Sequence, residues 1–168
     1  MSDLNETKKE IIEFLSSHQL TVTTAESCTG GLIASEITSV PGASECYAEG
    51  YITYAAYSKM KLLGVTPDII SEKGVVSPEC AEAMAKGALK QAGADYSVVS
   101  TGIAGPGGGD DDHPVGLVYL ACADRDSVTV EKNIFSGDRQ EVQHKAAERA
   151  INMLYEKLKD RTLKVCIK

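Results

Sequence analysis

The stretch Thr23-Thr24-Ala25-Glu26-Ser27-Cys28-Thr29-Gly30-Gly31 decides how the rest of the chain is read. The β-branched run Leu20-Thr21-Val22-Thr23-Thr24 leads into it, and the helical spacing of Leu32, Ile33, Ile37 and Val40 follows it. A strand over about 20–25 therefore turns into a helix over about 29–39, which ends before Pro41 because the residue preceding proline is disfavoured as helical. Ser27, Cys28 and Thr29 offer hydroxyl and thiol groups, while Gly30 and Gly31 leave backbone N–H groups unshielded. The first N–H groups of a helix are unpaired and its dipole is positive there, so the turn is expected to seat an anion. The same residues also suffice for a capped helix start with no ligand.

Upstream, residues 6–18 carry Ile11, Ile12, Phe14 and Leu15 among charges, an amphipathic helix. Downstream, residues 47–56 read as a second strand, rich in tyrosine and β-branched residues. A short helix over 58–64 follows, closed by glycine, and then a brief helical turn opened by Thr66-Pro67. Ser77-Pro78-Glu79 starts a longer helix that runs to Gly93. The strand over 95–100 feeds a second glycine loop, Thr101-Gly102-Ile103-Ala104-Gly105-Pro106-Gly107-Gly108-Gly109. Strands over 115–123 and 128–135 are joined by the polar turn Asp124-Arg125-Asp126-Ser127 as a hairpin. Ser136-Gly137-Asp138-Arg139 caps a closing helix to about Lys159, and the tail Leu163–Lys168 reads as a frayed end. This alternation predicts an α/β fold: a three-layer α/β/α sandwich with a mixed, mostly parallel sheet of about five strands. Ligands of such sheets collect beyond the carboxyl ends of strands. Both glycine loops sit just past strand ends, so they are expected to wall one cleft.

Composition narrows the partners. A chain of 168 residues, 43% hydrophobic, is expected to form one domain over 1–168 with a real core. Net charge is −7 and no lysine or arginine block occurs, so nucleic acid is not an expected partner. A small anionic ligand remains compatible with that charge, held by local N–H groups and one or two cations. The first ten residues are polar and no run approaches membrane-spanning length, which predicts a cytoplasmic protein with no membrane partner. The five cysteines, Cys28, Cys46, Cys80, Cys122 and Cys166, are odd in number and lack CxxC spacing, so they read as reduced thiols. The run Asp110-Asp111-Asp112-His113 has no spaced partner ligands and reads as a solvated loop, with no metal expected.

A family resemblance is carried by Thr24-Ala25-Glu26-Ser27-Cys28-Thr29-Gly30-Gly31, Pro41-Gly42-Ala43-Ser44, Gly50-Tyr51-Ile52-Thr53-Tyr54, Lys59 and Gly74-Val75-Val76-Ser77. It continues through Gly102-Ile103-Ala104-Gly105-Pro106-Gly107-Gly108, Pro114-Val115-Gly116 and Phe135-Ser136-Gly137-Asp138-Arg139. Over about residues 6–158 the chain resembles the CinA C-terminal domain, the nicotinamide-nucleotide amidase family, in its stand-alone form. The resemblance implies hydrolysis of the carboxamide of nicotinamide mononucleotide to nicotinic acid mononucleotide and ammonia, by a serine with a lysine base and no cofactor. It places the family's catalytic serine on Ser44, its tyrosine on Tyr54 and its lysine on Lys59. A serine hydroxyl needs a base within hydrogen-bond reach, and a lysine serves only when burial keeps it neutral. The nucleotide is expected against Ser27, Thr29, Gly30 and Gly31, with Thr101, Gly102 and Gly105 on the second loop and Arg139 as a cation for its phosphate.

Two other readings stay open on the sequence. Cys28 lies at an expected helix N-terminus, where a thiolate is stabilised, and with His113 or His144 as base it would make a thiol hydrolase. A nucleotide-binding module of the same fold without chemistry is the other. Self-association is left open.

Overall fold

The computed structural model describes residues 3–165, with side chains through residue 160; Cys166 and the last residues of the tail lie outside them. The elements are α1 (Leu4–Ser17), β1 (Val22–Glu26), α2 (Leu32–Thr38), β2 (Gly50–Ile52) and α3 (Ala56–Leu63). They continue with α4 (Pro78–Ala92), β3 (Tyr96–Gly102), β4 (Leu117–Ala123), β5 (Val128–Ile134) and α5 (Arg139–Val165). The sheet order is β2-β1-β3-β4-β5. β1 pairs parallel with β2 and β3, while β4 runs antiparallel to both β3 and β5. Four strands thus point one way and β4 the other.

Side-chain alternation divides the core in two. Val22, Tyr96, Val98, Leu120 and Cys122 face α1, α2 and α5. Ala25, Val99, Ala121 and Ala123 face α3 and α4. The expected three-layer sandwich is therefore the one observed, with alanines on the α4 side allowing close approach to the sheet.

Local chemistry places the helix ends. The Ser77 hydroxyl accepts from the Cys80 N–H at 3.1 Å, with Pro78 in the first turn of α4. At α5, Asp138 Oδ1 accepts the Glu141 N–H and Glu141 Oε2 accepts the Asp138 N–H, a reciprocal cap. α2 begins at Leu32, later than Thr29, because Gly30 and Gly31 take the left-handed backbone at φ +64° and +107°. β2 is far shorter than the expected 47–56. Cys46 and Tyr47 are held back by hydrogen bonds to the Ala43 carbonyl, in a 3-10 turn over Ala43–Glu45. At its other end β2 gains one further ladder bond, Thr53 N–H to the Glu26 carbonyl at 2.8 Å, before the chain turns into α3.

Helices α3 and α4 approach through Gly87. A Cβ there would lie 1.9 Å from the Leu63 carbonyl oxygen. Alanine is worth about 1 kcal/mol more than glycine in an exposed helix, yet Gly87→Ala is expected to destabilise, by roughly 1–3 kcal/mol of overpacking. Thermal unfolding checks this, and an unchanged or raised Tm would show that the two helices separate freely.

Candidate active site

The turn after β1 presents two adjacent side chains to opposite faces of the sheet, as the period-two alternation of a strand requires. Glu26 is fully buried on the α2 face. Its Oε2 accepts from the Thr29 hydroxyl at 2.6 Å and from the N–H groups of Gly31 and Ile33 at 3.0 Å. Its Oε1 accepts from the Ala34 N–H at 2.8 Å. Thr29 also meets the Ser100 hydroxyl at 2.6 Å. The N–H groups that the sequence offered to a phosphate are thus taken by the chain's own carboxylate, a charge that suits the positive end of α2. The expected nucleotide contacts at Thr29, Gly30 and Gly31 are corrected accordingly: Thr29 is buried against Glu26, Gly31 donates to it, and Gly30 is exposed with its N–H on the Ser27 carbonyl. A lone acid at the end of the wholly buried strand Val22–Glu26 was the signal that could have revealed this.

Ser27 keeps one more ladder bond, its N–H to the Ser100 carbonyl at 3.0 Å, and its side chain meets Lys59 of α3. Lys59 is 1% exposed. Its Nζ lies 2.9 Å from Ser27 Oγ and donates to the Thr53 carbonyl at 2.6 Å. Burial holds the Lys59 amine below its ordinary value, an effect partly offset by the Cys80 and Cys28 thiols. The carbonyl can only accept, so it orients the amine. A neutral Lys59 then has its lone pair free for the serine proton.

Ser44 stands elsewhere. It is exposed on the 3-10 turn that bonds the amino end of β1 through Val22 N–H to the Cys46 carbonyl. Lys59 sits past the carboxyl end, a strand of five residues away, which at about 3.3 Å per residue is roughly 16 Å. The pairing of Ser44 with Lys59 is therefore corrected to Ser27 with Lys59.

Ser27, Cys28, Tyr54 and Lys59 open on a cleft of about 340 Å³ whose far wall is the second glycine loop, from Thr101 to Gly108, with Val75 and Val76 at the side. Thr101 ties that side in, its hydroxyl donating to the Val75 carbonyl at 2.6 Å. Gly102 and Gly105 line the cleft as expected. Arg139, at the start of α5, crosses the mouth: Nη1 donates to the Gly105 carbonyl and Nη2 to the Tyr54 hydroxyl, each at 2.8 Å. Val75, Val76 and Thr53 belong to stretches that carried the family resemblance, but no site role was read for them, since apolar lining and backbone acceptors look like any core or loop.

Cys28 lines the same cleft, but burial pushes its thiol up to about 11, which leaves it protonated at neutral pH. Neither histidine reaches it: His113 bonds Asp110 within its loop, and His144 bonds the Gln140 carbonyl of its own helix. A larger hollow, about 710 Å³, lies at the opposite end of the sheet by the Asp124–Ser127 turn. Its one thiol, Cys122, is pushed up to about 12 by burial, and its exposed Ser127 hydroxyl accepts from Lys157 Nζ at 2.9 Å, a lysine that is also ion-paired with Asp124 at 3.4 Å. Lys59 in the smaller cleft has no such carboxylate partner among the described residues.

The CinA C-terminal domain profile matches residues 4–158. The chain belongs to the CinA C-terminal domain family. A CinA-like protein of Geobacter sulfurreducens is 49% identical over 139 residues, covering 83% of this chain and 34% of its own length. Another, of Chlorobaculum tepidum, is 44% identical over 155 residues, covering 89% and 37%. The chain thus spans about a third of the length of the curated relatives it matches. Among solved CinA folds, the competence/damage inducible protein CihA of Agrobacterium tumefaciens superposes with a TM-score of 0.88 at 39% identity, covering 92% of this chain and 94% of that one. A CinA superfamily protein of Enterobacter cloacae reaches 0.90 at 31% identity, with 94% of both chains covered. Among the described residues no helix is long and apolar enough to cross a membrane.

Glu26→Gln tests the internal anion of this CinA domain. An amide replaces one acceptor oxygen by an NH₂ that faces the N–H donors of α2, so unfolding is expected about 1–3 kcal/mol sooner. Thermal or denaturant melts measure it. A Glu26→Gln domain as stable as the parent would mean that the carboxylate is dispensable.

Proposed function

We propose that this CinA domain hydrolyses a carboxamide through Ser27 as nucleophile and Lys59 as its base, and that the substrate is nicotinamide mononucleotide. The observation that carries the reading is the buried Lys59 Nζ, 2.9 Å from Ser27 Oγ and oriented by the Thr53 carbonyl. The substrate rests on the resemblance of the whole motif set to nicotinamide-nucleotide amidases.

In the proposed first step Ser27 Oγ attacks the carboxamide carbon and its proton passes to Lys59 Nζ. The tetrahedral species collapses, the C–N bond breaks, and ammonia leaves with the proton returned by Lys59. Water then attacks the acyl-serine ester, giving a proton to Lys59; the ester C–O bond breaks, Lys59 returns the proton to Ser27 Oγ, and nicotinic acid mononucleotide leaves. The backbone N–H groups of Gly105, Gly107 and Gly108, residues that line the cleft, are the proposed donors to the developing oxyanion.

Ser27→Ala and Lys59→Ala are each expected to abolish ammonia release from nicotinamide mononucleotide, and the double variant to be little worse, because the two act as one unit. Ser44→Ala should keep nearly full activity. Loss on Ser44→Ala with retention on Ser27→Ala would reverse the assignment.

The pH dependence follows from the lowered Lys59 value. kcat/KM should rise with pH along a limb that ends below the ordinary lysine value of 10.5, as free enzyme loses the Lys59 proton. Stability moves in the same direction. As pH falls below 10.5 the unfolded lysine takes up its proton first, so the unfolded state binds more protons until the lowered folded value is passed. Stability from this site is lost across that window and is level beneath it. Lys59→Met has no such loss, so its Tm relative to the parent should improve as pH is lowered from 10.5 toward 7. A Tm difference independent of pH would mean that Lys59 titrates normally in the fold.

A further inference from the structure

The carbonyls of the turn after β1 are met in two ways. Those of Ser27, Thr29 and Gly31 accept backbone N–H groups a few residues on, from Gly30, Leu32 and Ser35. The Cys28 carbonyl is met instead by a side chain of the last helix: Gln143 Nε2 of α5 donates to it at 2.8 Å, across 115 positions of sequence. Gln143 is half-buried and does not line the cleft. It therefore holds the backbone of the residue next to Ser27 without reaching a ligand.

The bond falls on the middle of a tight turn. Gly30 N–H closes that turn on the Ser27 carbonyl at 3.2 Å, so the Cys28–Thr29 peptide is its central unit. Turning this peptide over, from type I to type II, demands a positive φ at Thr29, which is costly for a β-branched residue. Among the described residues Gln19 is the only non-glycine with a positive φ. The peptide thus has one orientation, and what a lost tether allows is rocking rather than a flip. Upstream, Ser27 is fixed by its N–H to the Ser100 carbonyl at 3.0 Å. Downstream, Glu26 holds the chain from Thr29 onward. Between these anchors Gln143 is the side chain that ties down the backbone.

The helix that carries it is a firm platform. Val142, Ala146 and Ala150 form a buried stripe along α5. Arg139, one turn before Gln143, bonds Gly105 and Tyr54. The first two turns of α5 thus hold both the glycine wall and the nucleophile turn.

We propose that Gln143 is a positioning residue of the reaction: by fixing the Cys28–Thr29 peptide it keeps Ser27 Oγ aligned with Lys59 Nζ and with the carbon under attack. The proposal rests on the Ser27–Lys59 reading and adds to it a residue outside the cleft. A serine that rocks by a fraction of an ångström still lets the ligand bind but spends less time aligned for attack. The loss therefore falls on kcat and not on KM.

The test has a turnover arm and a labelling arm, each run well below the Tm measured for every variant. Gln143→Leu, which keeps the bulk and loses the donor, should lower kcat for ammonia release from nicotinamide mononucleotide by about tenfold to a hundredfold, with KM within about twofold. Gln143→Glu, alike in shape but acceptor-only when ionised, should be at least as slow. Gln143→Lys restores an N–H donor and should recover part of kcat. The labelling arm uses phenylmethanesulfonyl fluoride and mass measurement. Ser27 Oγ bonds to sulfur, the S–F bond breaks, fluoride leaves and Lys59 takes the serine proton. Lys59→Met should not label, and Gln143→Leu should label more slowly than the parent by a factor similar to its loss in kcat. Parent-like kcat and labelling in Gln143→Leu, a loss confined to KM, or no recovery with Gln143→Lys overturns the proposal. A parent that labels at Ser27 but releases no ammonia overturns the substrate assignment alone, and the labelling rates then decide the role of Gln143. A parent that does neither overturns the Ser27–Lys59 reading and this proposal with it.

Discussion

A buried carboxylate holds this molecule's working end in place. Glu26 is removed from water entirely and is satisfied by one hydroxyl and three backbone N–H groups of the helix that follows it. An ionised group in the interior is tolerable only when its lone pairs are met, and a helix N-terminus supplies N–H donors with a favourable dipole. The arrangement binds the end of β1 to the start of α2 with a charge-assisted clamp across the left-handed glycines. The residue next in sequence, Ser27, inherits that rigidity on the other face of the sheet.

On that other face the reverse problem is solved by a different device. Lys59 brings its side chain into a buried site, where burial disfavours the charged form and holds the amine below its ordinary value. Its hydrogen bond to the Thr53 carbonyl gives direction, and the close passage of α3 over Gly87 of α4 keeps the lysine-bearing helix against the sheet. A strand end thus separates two buried ionisable groups, an acid whose oxygens are met by N–H and hydroxyl donors and a base eased toward its neutral form by burial. The geometry favours proton transfer between Lys59 and Ser27, which is what the proposed hydrolysis asks of it.

The cleft is assembled from segments distant in the chain. Ser27 follows β1, Lys59 lies on α3, the glycine wall follows β3, and Arg139 opens α5. All meet at the carboxyl ends of β1 and β3, the edge at which parallel sheets gather loops. Arg139 spans the mouth, so the first turn of the last helix is joined to a loop formed much earlier in the sequence.

The sequence by itself determined the layered α/β architecture, because period-two strands, 3.6-period helices and their capping residues are local properties. Ser77-Pro78 at the start of α4 and the Asp138–Glu141 pair at α5 are examples. It also marked the two glycine loops, Lys59, Tyr54 and Arg139 as residues of interest. It could not decide between serines. Ser27 and Ser44 both sit in glycine-flanked turns, and only the packing of α3 across the end of β1 brings a base to one of them, at a separation of 32 residues. Nor could it tell that the positive end of α2 would be filled from within, since Glu26 reads as an ordinary strand acid until the turn folds back on it. Such choices rest on through-space distances of about 3 Å between groups far apart in the chain, and those distances exist only in the tertiary structure.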